Sequence, residues 1–371
     1  MTTRKRPLRV LHTEASTGWG GQEIRILNES SGLRERGYEV QIAAPAEAQI
    51  VPAAKDYGVP LHAIPINRRS LGAFRAVVRL LASFKPDVVI THSSTDSWLV
   101  ALAARVSSAR PVVIRMRHLS TPVAGGPLNR WLYGRAAKFL VATGKATRNA
   151  LVEKFRLDPE KVFSIPTGTD LSRFQPGDRA QARIAVGLGS TGPVVAIVAT
   201  LRHWKGHRFL ISALGDPRLA SAELVVVGDG PQEQALREQA VTDNVANRVH
   251  FAGRQKDVVP WLQACDVFAL PSTGHETTPQ AIQQALACGI PVVTTPSGAG
   301  LELVRDGETG LIVPANDVTA LADAIVRLLS NPDLARRLSD AGRKDVAAKF
   351  TAAAMLDAME EVLQKAVSEA R

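Results

Sequence analysis

Between Asp266 and Thr295 the chain spells out a strand, a loop, a helix and a second strand, and few folds accept that order. The apolar run Asp266-Val-Phe-Ala-Leu270 ends at Pro271-Ser272, and Pro291-Val-Val-Thr-Thr295 reads as the next buried strand. Between them Thr278 predicts a hydroxyl N-cap, Pro279 the first helical position, and Gly289 the helix end. Two buried strands joined through one helix form a crossover unit, which requires a parallel sheet with helices on its faces. Glu276 then lies at the carboxyl end of a parallel strand beside a helix N-terminus, where open α/β sheets bind ligands. Gln284 sits one and a half turns into that helix, within reach of the same ligand.

The same alternation runs through the rest of the chain. In the first half, strands are expected at 9–12, 40–45, 61–66, 87–92, 111–118 and 138–143, with helices between them. Ile165-Pro-Thr-Gly-Thr-Asp170 and the residues to Gly177 are rich in turn formers, and the alternation restarts at 194–200. A chain of 371 residues favours two domains. We therefore expect an α/β protein with domains 1–170 and 171–351, and a last helix, 352–371.

Charge is unevenly spread. Residues 1–170 carry 25 Lys and Arg against 13 Asp and Glu, while the remainder carries 20 against 22. Solvated surface is one reading of this excess; an anionic partner such as a membrane surface or a phosphorylated glycolipid is the other. Nucleic acid is disfavoured, because the aromatics are not interleaved with the arginines as a stacking platform needs. No apolar run reaches the roughly 18–20 residues of a membrane span. The basic start lacks the long apolar core of a signal peptide, so a cytoplasmic location is expected. Cys265 and Cys288, the only cysteines, fall in apolar surroundings outside any metal-ligand cluster.

Several positions have two readings. Gly18-Trp-Gly20-Gly21 lacks the third glycine of a dinucleotide fingerprint, and strand two ends in Ala44-Pro45 without a ribose-binding acid, so NAD is disfavoured. Gly20 and Gly21 could still approach a diphosphate or an acceptor. His12, His92 and His118 fall at strand carboxyl ends. Each alone suggests a packed residue; three together suggest a site. In 68–85, Leu71, Phe74, Val78, Leu81 and Ala82 form a helical stripe with Arg75 and Arg79 on another face. A core-facing helix and a membrane-surface helix both fit. Lys205, followed by Gly206 and preceded by Arg202, offers positive charge to a diphosphate, or is ordinary solvated charge.

The stretch from Gly274 to Val293 resembles the donor-sugar motif of GT-B glycosyltransferases, especially glycosyltransferase family 4, where two glutamates are separated by seven intervening residues. Glu276 matches the first, and Gln284 stands at the second. Thr167-Gly168-Thr169-Asp170 stands where the family has Asn-Gly-Val-Asp. The resemblance implies two Rossmann-like doubly wound domains facing across a cleft, with the final helix returning to the first. It implies a retaining, metal-independent transferase that takes a nucleotide diphosphate sugar as donor, with no further cofactor. It also implies roles. Glu276 would orient the donor sugar, His118 would position sugar and acceptor, and His92 would line the acceptor side. Lys205 and Arg202 would neutralise the diphosphate, the family's usual arginine position being Thr200 here. Gly230, Arg254, Thr277 and Thr278 would complete the donor pocket, and Gln284 would hold the ribose through an uncharged acceptor. No Asp-x-Asp pair is present for a bridging metal. A glycan or lipid-linked acceptor is implied, with a lipopolysaccharide or surface-polysaccharide precursor at the inner membrane face favoured by the basic half. The rivals are a GT-B sugar-nucleotide epimerase and a non-enzymatic two-domain sugar-binding protein.

Overall fold

The computed structural model describes residues 6–118, 121–189, 192–274, 276, 278–298 and 300–369. The chain divides into two compact units, 1–167 with 353–371, and 168–352.

In the first unit seven strands form one sheet: β1 (Arg9–Thr13), β2 (Glu39–Ala44), β3 (Leu61–Ala63), β4 (Val88–Thr91), β5 (Val112–Arg117), β6 (Phe139–Ala142) and β7 (Val162–Ser164). Their order is β3-β2-β1-β4-β5-β6-β7, with every pairing parallel. Val, Ile and Leu runs buried on both faces are what such a sheet needs, and all four residues of β4 and of β6 are buried. Six strands are expected here from the sequence. The seventh is a three-residue edge strand with only Val162 buried, too short and too polar to show a pattern beside the turn-rich linker.

Helix Ala352–Ser368 buries Met355, Leu356, Met359 and Leu363 against Val10, Ile90, Ile114 and Phe139. Each such side chain contributes about 1.5–3 kcal/mol on burial, which holds this distant segment on the first unit. Arg25, on helix Gly21–Glu35, is fully buried; it pairs with Glu29 at 3.2 Å and donates to the Ile165 carbonyl at 2.7 Å. It thereby ties that helix to the segment leading out of the unit.

Helix Leu71–Phe84 starts at a Ser70 cap, whose hydroxyl accepts from the Ala73 N–H. Its buried face is Ala73, Val77, Leu80, Leu81 and Phe84; of the stripe read from the sequence, Leu81 is buried and Phe74 and Val78 pack partly buried beside it, while Ala82 is exposed and Leu71 is 63% exposed. Helix and sheet meet along 73/77/80/84, and a stripe drawn from Leu71 is rotated away from that contact.

The second unit has six parallel strands: β8 (Val194–Val198), β9 (Glu223–Val227), β10 (Val249–Gly253), β11 (Val267–Leu270), β12 (Val292–Thr294) and β13 (Leu311–Ile312). Their order, β10-β9-β8-β11-β12-β13, is the 3-2-1-4-5-6 order of the doubly wound nucleotide-binding fold, and the first six strands of the first unit follow it too. In both units the order reverses beside the first strand. Ligands of such sheets bind at the carboxyl ends there. Cys265 and Cys288 are buried, and burial pushes the Cys288 thiol up to about 12, away from the thiolate form. Among the described residues no helix is long and apolar enough to cross a membrane.

Candidate active site

In the first unit β1, β4 and β5 are neighbours, and a histidine ends each. His12 is in register with Ile90, so His92 stands two residues further along; Thr91 is in register with Arg115, so His118 stands two further again. A two-residue step keeps all three side chains on one face of the sheet. They form a staircase toward the carboxyl rim, from 0% exposure at His12 through 5% at His92 to 8% at His118. The rings stack at 5.2 and 5.1 Å, close to the spacing of adjacent strands. His12 Nδ1 lies 2.9 Å from His92 Nε2, and His92 Nδ1 lies 2.8 Å from His118 Nε2. Because the ring nitrogens face one another in pairs, they share no common centre. Among the described residues no three His, Cys, Asp or Glu side chains converge as a metal site.

Burial holds these imidazoles neutral. It lowers His12 to about 3 and carries His92 and His118 well below the usual range, with neighbouring positive charge adding to the effect. Asp96 fixes the middle rung: its carboxylate accepts from the His92 N–H at 2.9 Å, from Thr13 Oγ1 at 2.7 Å and from both Ser93 donors. This is a capping box at the start of helix Ser94–Val106.

Beside the staircase, Glu14 follows β1 and is fully buried. Its carboxyl group accepts from the Ser16 N–H at 2.7 Å and from the Gln22 amide. Desolvation first, then Asp96, raises Glu14 to about 8. The loop it braces carries Gly18, Gly20 and Gly21 into helix Gly21–Glu35. Gly20 is extended, and a Cβ there would meet only Glu23 Oε2, at 3.7 Å. The protein's own packing therefore does not demand glycine at Gly20.

In the second unit three loops converge, those after β8, β11 and β12, which are adjacent strands. Lys205 Nζ donates to Glu276 Oε1 at 2.6 Å, and Ser272 Oγ donates to the same oxygen at 2.8 Å. Thr295 Oγ1 donates to the Ser272 carbonyl, and the Thr273 N–H donates to the Trp204 carbonyl at 2.8 Å. Two glycines permit this closeness. Gly206 has φ +84°, and a Cβ there would lie 2.1 Å from the Pro271 carbonyl oxygen. Gly298 has φ +59°, and its Cβ would lie 1.7 Å from the Glu276 carbonyl oxygen. Glu276 is 6% exposed, so its carboxylate is held and not merely placed.

The helix after Glu276 begins one residue later than the sequence reading has it. It runs Gln280–Ala287, with Pro279 itself at the N-cap position, ψ 103°, and no side-chain cap. A residue before proline is pushed to extended backbone, and Pro279 stays extended as well, so its carbonyl, not the Thr278 hydroxyl, opens the helix by accepting from Ile282. Thr278 is 9% exposed beside this start. Gly289 ends the helix as expected: its N–H donates to the Leu286 carbonyl and that of Ile290 to Ala285, the paired bonds of a Schellman motif. Gln284 is half-buried on this helix, while its neighbour Gln283 is fully buried and accepts from Thr169 Oγ1 at 3.2 Å.

Arg202 is exposed and lies over the Trp204 ring at 5.3 Å, leaving Lys205 as the cation that Glu276 holds. Gly230 packs its loop against Leu201, whose carbonyl accepts from the Gln232 N–H at 3.0 Å. Arg254 is exposed just past β10. Thr277 lies outside the described residues. Glu14, Asp96, Ser272 and Gly298 escaped the sequence reading. Ser272, four residues before Glu276 at a strand end, was the one with a signal.

Two family models match the chain, Glycosyltransferase Family 4 over residues 19–173 and Glycosyl transferases group 1 over 192–331. A D-inositol 3-phosphate glycosyltransferase of Kribbella flavida is 30% identical over 360 residues, covering 84% of this chain and 83% of that relative. One of Stackebrandtia nassauensis is 29% identical, covering 90% and 84%. HepE of Anabaena, in a crystal structure with UDP and glucose, superposes with a TM-score of 0.86 at 22% identity, over 96% of this chain and 99% of that one. A glycosyltransferase of Rickettsia africae gives 0.86 at 19% identity, over 97% and 99%. With two Rossmann-like sheets of one strand order and matches along both halves, the chain belongs to the group 1 glycosyltransferases of family 4 and has the GT-B fold.

Proposed function

We propose that this glycosyltransferase moves a sugar from a nucleotide diphosphate sugar to a hydroxyl of an anionic acceptor, with retention of anomeric configuration. The observation that carries the proposal is the Lys205–Glu276–Ser272 cluster at the carboxyl edge of β8 and β11. A carboxylate held by two donors on one oxygen keeps acceptor capacity for sugar hydroxyls, through charge-assisted bonds. Lys205 supplies fixed charge for the departing diphosphate, with Arg202 three residues before it. In this reading His118 meets the donor sugar, Thr278, Gly230 and Arg254 line the donor pocket, and Gln284 takes the ribose. The leaving diphosphate draws the proton from the acceptor hydroxyl on the same face of the sugar.

The excess of cations in residues 1–170 supports a negatively charged acceptor, and relatives named D-inositol 3-phosphate glycosyltransferase act on a phosphorylated polyol. A lipid-linked or surface-polysaccharide precursor, lipopolysaccharide included, falls in the same class. The exposed Arg75, Arg79 and Leu71 of helix Leu71–Phe84 support contact with an anionic membrane surface.

Thermal stabilisation against UDP, GDP, ADP and CMP, with their sugars, tests the donor. We expect one nucleotide to raise the melting temperature, and the rise to disappear in Lys205→Ala. Absence of stabilisation by any of them would remove the transferase mechanism from this chain. Co-sedimentation with anionic vesicles at two salt concentrations tests the membrane contact, which must weaken as salt rises.

A further inference from the structure

From the His12–His92–His118 staircase we infer that His12 and His92 are positioning residues that lock His118 in the tautomer bearing its proton on Nδ1, so that His118 acts as a hydrogen-bond donor and not as a general base. The inference rests on the reading of His118 as the residue that meets the donor sugar.

Three neutral imidazoles carry three ring protons, and two of them are spent on the two ladder bonds. Only two directions satisfy both bonds. In the outward direction His12 Nδ1–H donates to His92 Nε2, and His92 Nδ1–H donates to His118 Nε2. His118 then carries its proton on Nδ1, and His12 Nε2 is a bare lone pair. In the inward direction every bond reverses, and the last proton sits on His12 Nε2.

The inner end decides between them. His12 is fully buried, and its Nε2 has no hydrogen-bond partner among the described residues. An N–H buried there with no acceptor loses its hydrogen bond to water and gains none, whereas an unpaired acceptor lone pair costs less. The outward direction therefore wins. Asp96 holds the backbone from which the middle ring projects, accepting from the His92 N–H at 2.9 Å. Burial adds to the lock by keeping a fourth proton off the ladder.

The same inner end closes the ladder as a proton wire. To remove a proton from an acceptor hydroxyl, His118 would have to pass one inward, and His12 Nε2 would have to release it to a group that none of the described residues supplies. His118 can thus donate to a sugar oxygen and leave that hydroxyl's own hydrogen for another partner. The acceptor's proton must leave by another route.

Long-range proton–nitrogen NMR correlation on the full chain tests this without any substrate. We expect His118, His92 and His12 to show protonated Nδ1 and unprotonated Nε2 at neutral pH. A protonated Nε2 on His118 would overturn the inference. In His12→Ala the His118 signals should split between both tautomers, and kcat should fall about tenfold with KM for the donor unchanged. His12→Asn, whose amide nitrogen replaces Nδ1 as donor, should restore both. A His12→Ala protein with unchanged tautomer and unchanged kcat would also overturn it. Should His12→Ala fail to fold, the wild-type spectrum and His12→Asn still decide. Because the tautomer is read from the protein alone, its failure is distinct from failure to bind a nucleotide.

Discussion

Lys205 Nζ lies 2.6 Å from Glu276 Oε1, so the residues assigned to opposite ends of one donor hold each other directly. Sequence separation hides this, since the two are 71 positions apart, but β8 and β11 are neighbours and their loops meet. Removing one partner leaves the other charge largely buried and unpaired. Lys205→Ala should therefore cost about 1–3 kcal/mol of stability as well as donor affinity. Lys205→Met with Glu276→Gln should recover most of the stability and none of the activity. Chemical denaturation of the two single variants and the double variant, set beside donor titration, separates the two effects. Additive stability losses would show that the pair contributes little.

Gly298 sits where any side chain would strike the main chain of Glu276. With φ at +59° and a Cβ 1.7 Å from the Glu276 carbonyl oxygen, Gly298→Ala must move one of the two loops. Misplacement by about 1 Å in such a site can cost about 100-fold in rate. We expect Gly298→Ala to fold, with kcat/KM down by about that factor and the melting temperature lowered by a few degrees. A variant with full activity would mean that the loop after β12 does not set the position of Glu276.

The strands and their sense were legible because parallel strands buried on both faces are apolar throughout, and little else in the chain reads that way. Glu276 and Lys205 were legible as members of a motif, and His92 and His118 as strand-end residues. Their partners were not. Ser272 and Gly298 act through a close approach of three loops, which depends on strand order, and strand order is a property of the sheet. The direction of the histidine ladder needs the two-residue stagger between β1, β4 and β5. On helix Leu71–Phe84 the expected stripe shares Leu81 with the core and is rotated from it at its start, because small Ala73 and distant Phe84 face the core while the larger Leu71 lies outside it. Thr278 was misread as a cap because threonine before proline has the composition of a helix start whether or not the proline turns.

Two opposing titrations act on the first unit. Glu14 keeps its proton up to about 8 in the folded chain, against a usual value of 4.5. Its stabilisation is present below 4.5 and is lost as pH rises toward 8, because the unfolded chain has by then released the proton. His12 runs the other way. Lowered to about 3 from 6.5, it contributes stability above 6.5 that is lost as pH falls toward 3, and His92 and His118 act in the same direction. Glu14→Gln removes only the first effect. The melting temperature of Glu14→Gln minus that of the wild type should therefore rise steadily between pH 4.5 and 8 and stay flat below 4.5. A difference independent of pH would mean that Glu14 is ionised in the folded protein.

Gln284 offers a gain-of-affinity test. It is half-buried on helix Gln280–Ala287, at the position where the family motif has its second glutamate. Its neighbour Gln283 points inward to Thr169 and is unavailable to a ligand. An amide oxygen accepts from a ribose hydroxyl more weakly than a carboxylate does, and the difference between a neutral and a charge-assisted bond is about 1 kcal/mol. Gln284→Glu should therefore bind the nucleotide about fivefold more tightly, with kcat little changed, because the ribose is remote from the reacting bond. Calorimetric titration of both forms with the stabilising nucleotide measures it. Weaker binding by Gln284→Glu would mean that the amide nitrogen donates to the ligand, or that a negative charge at this position repels the diphosphate, and either result would take the ribose-acceptor role away from Gln284.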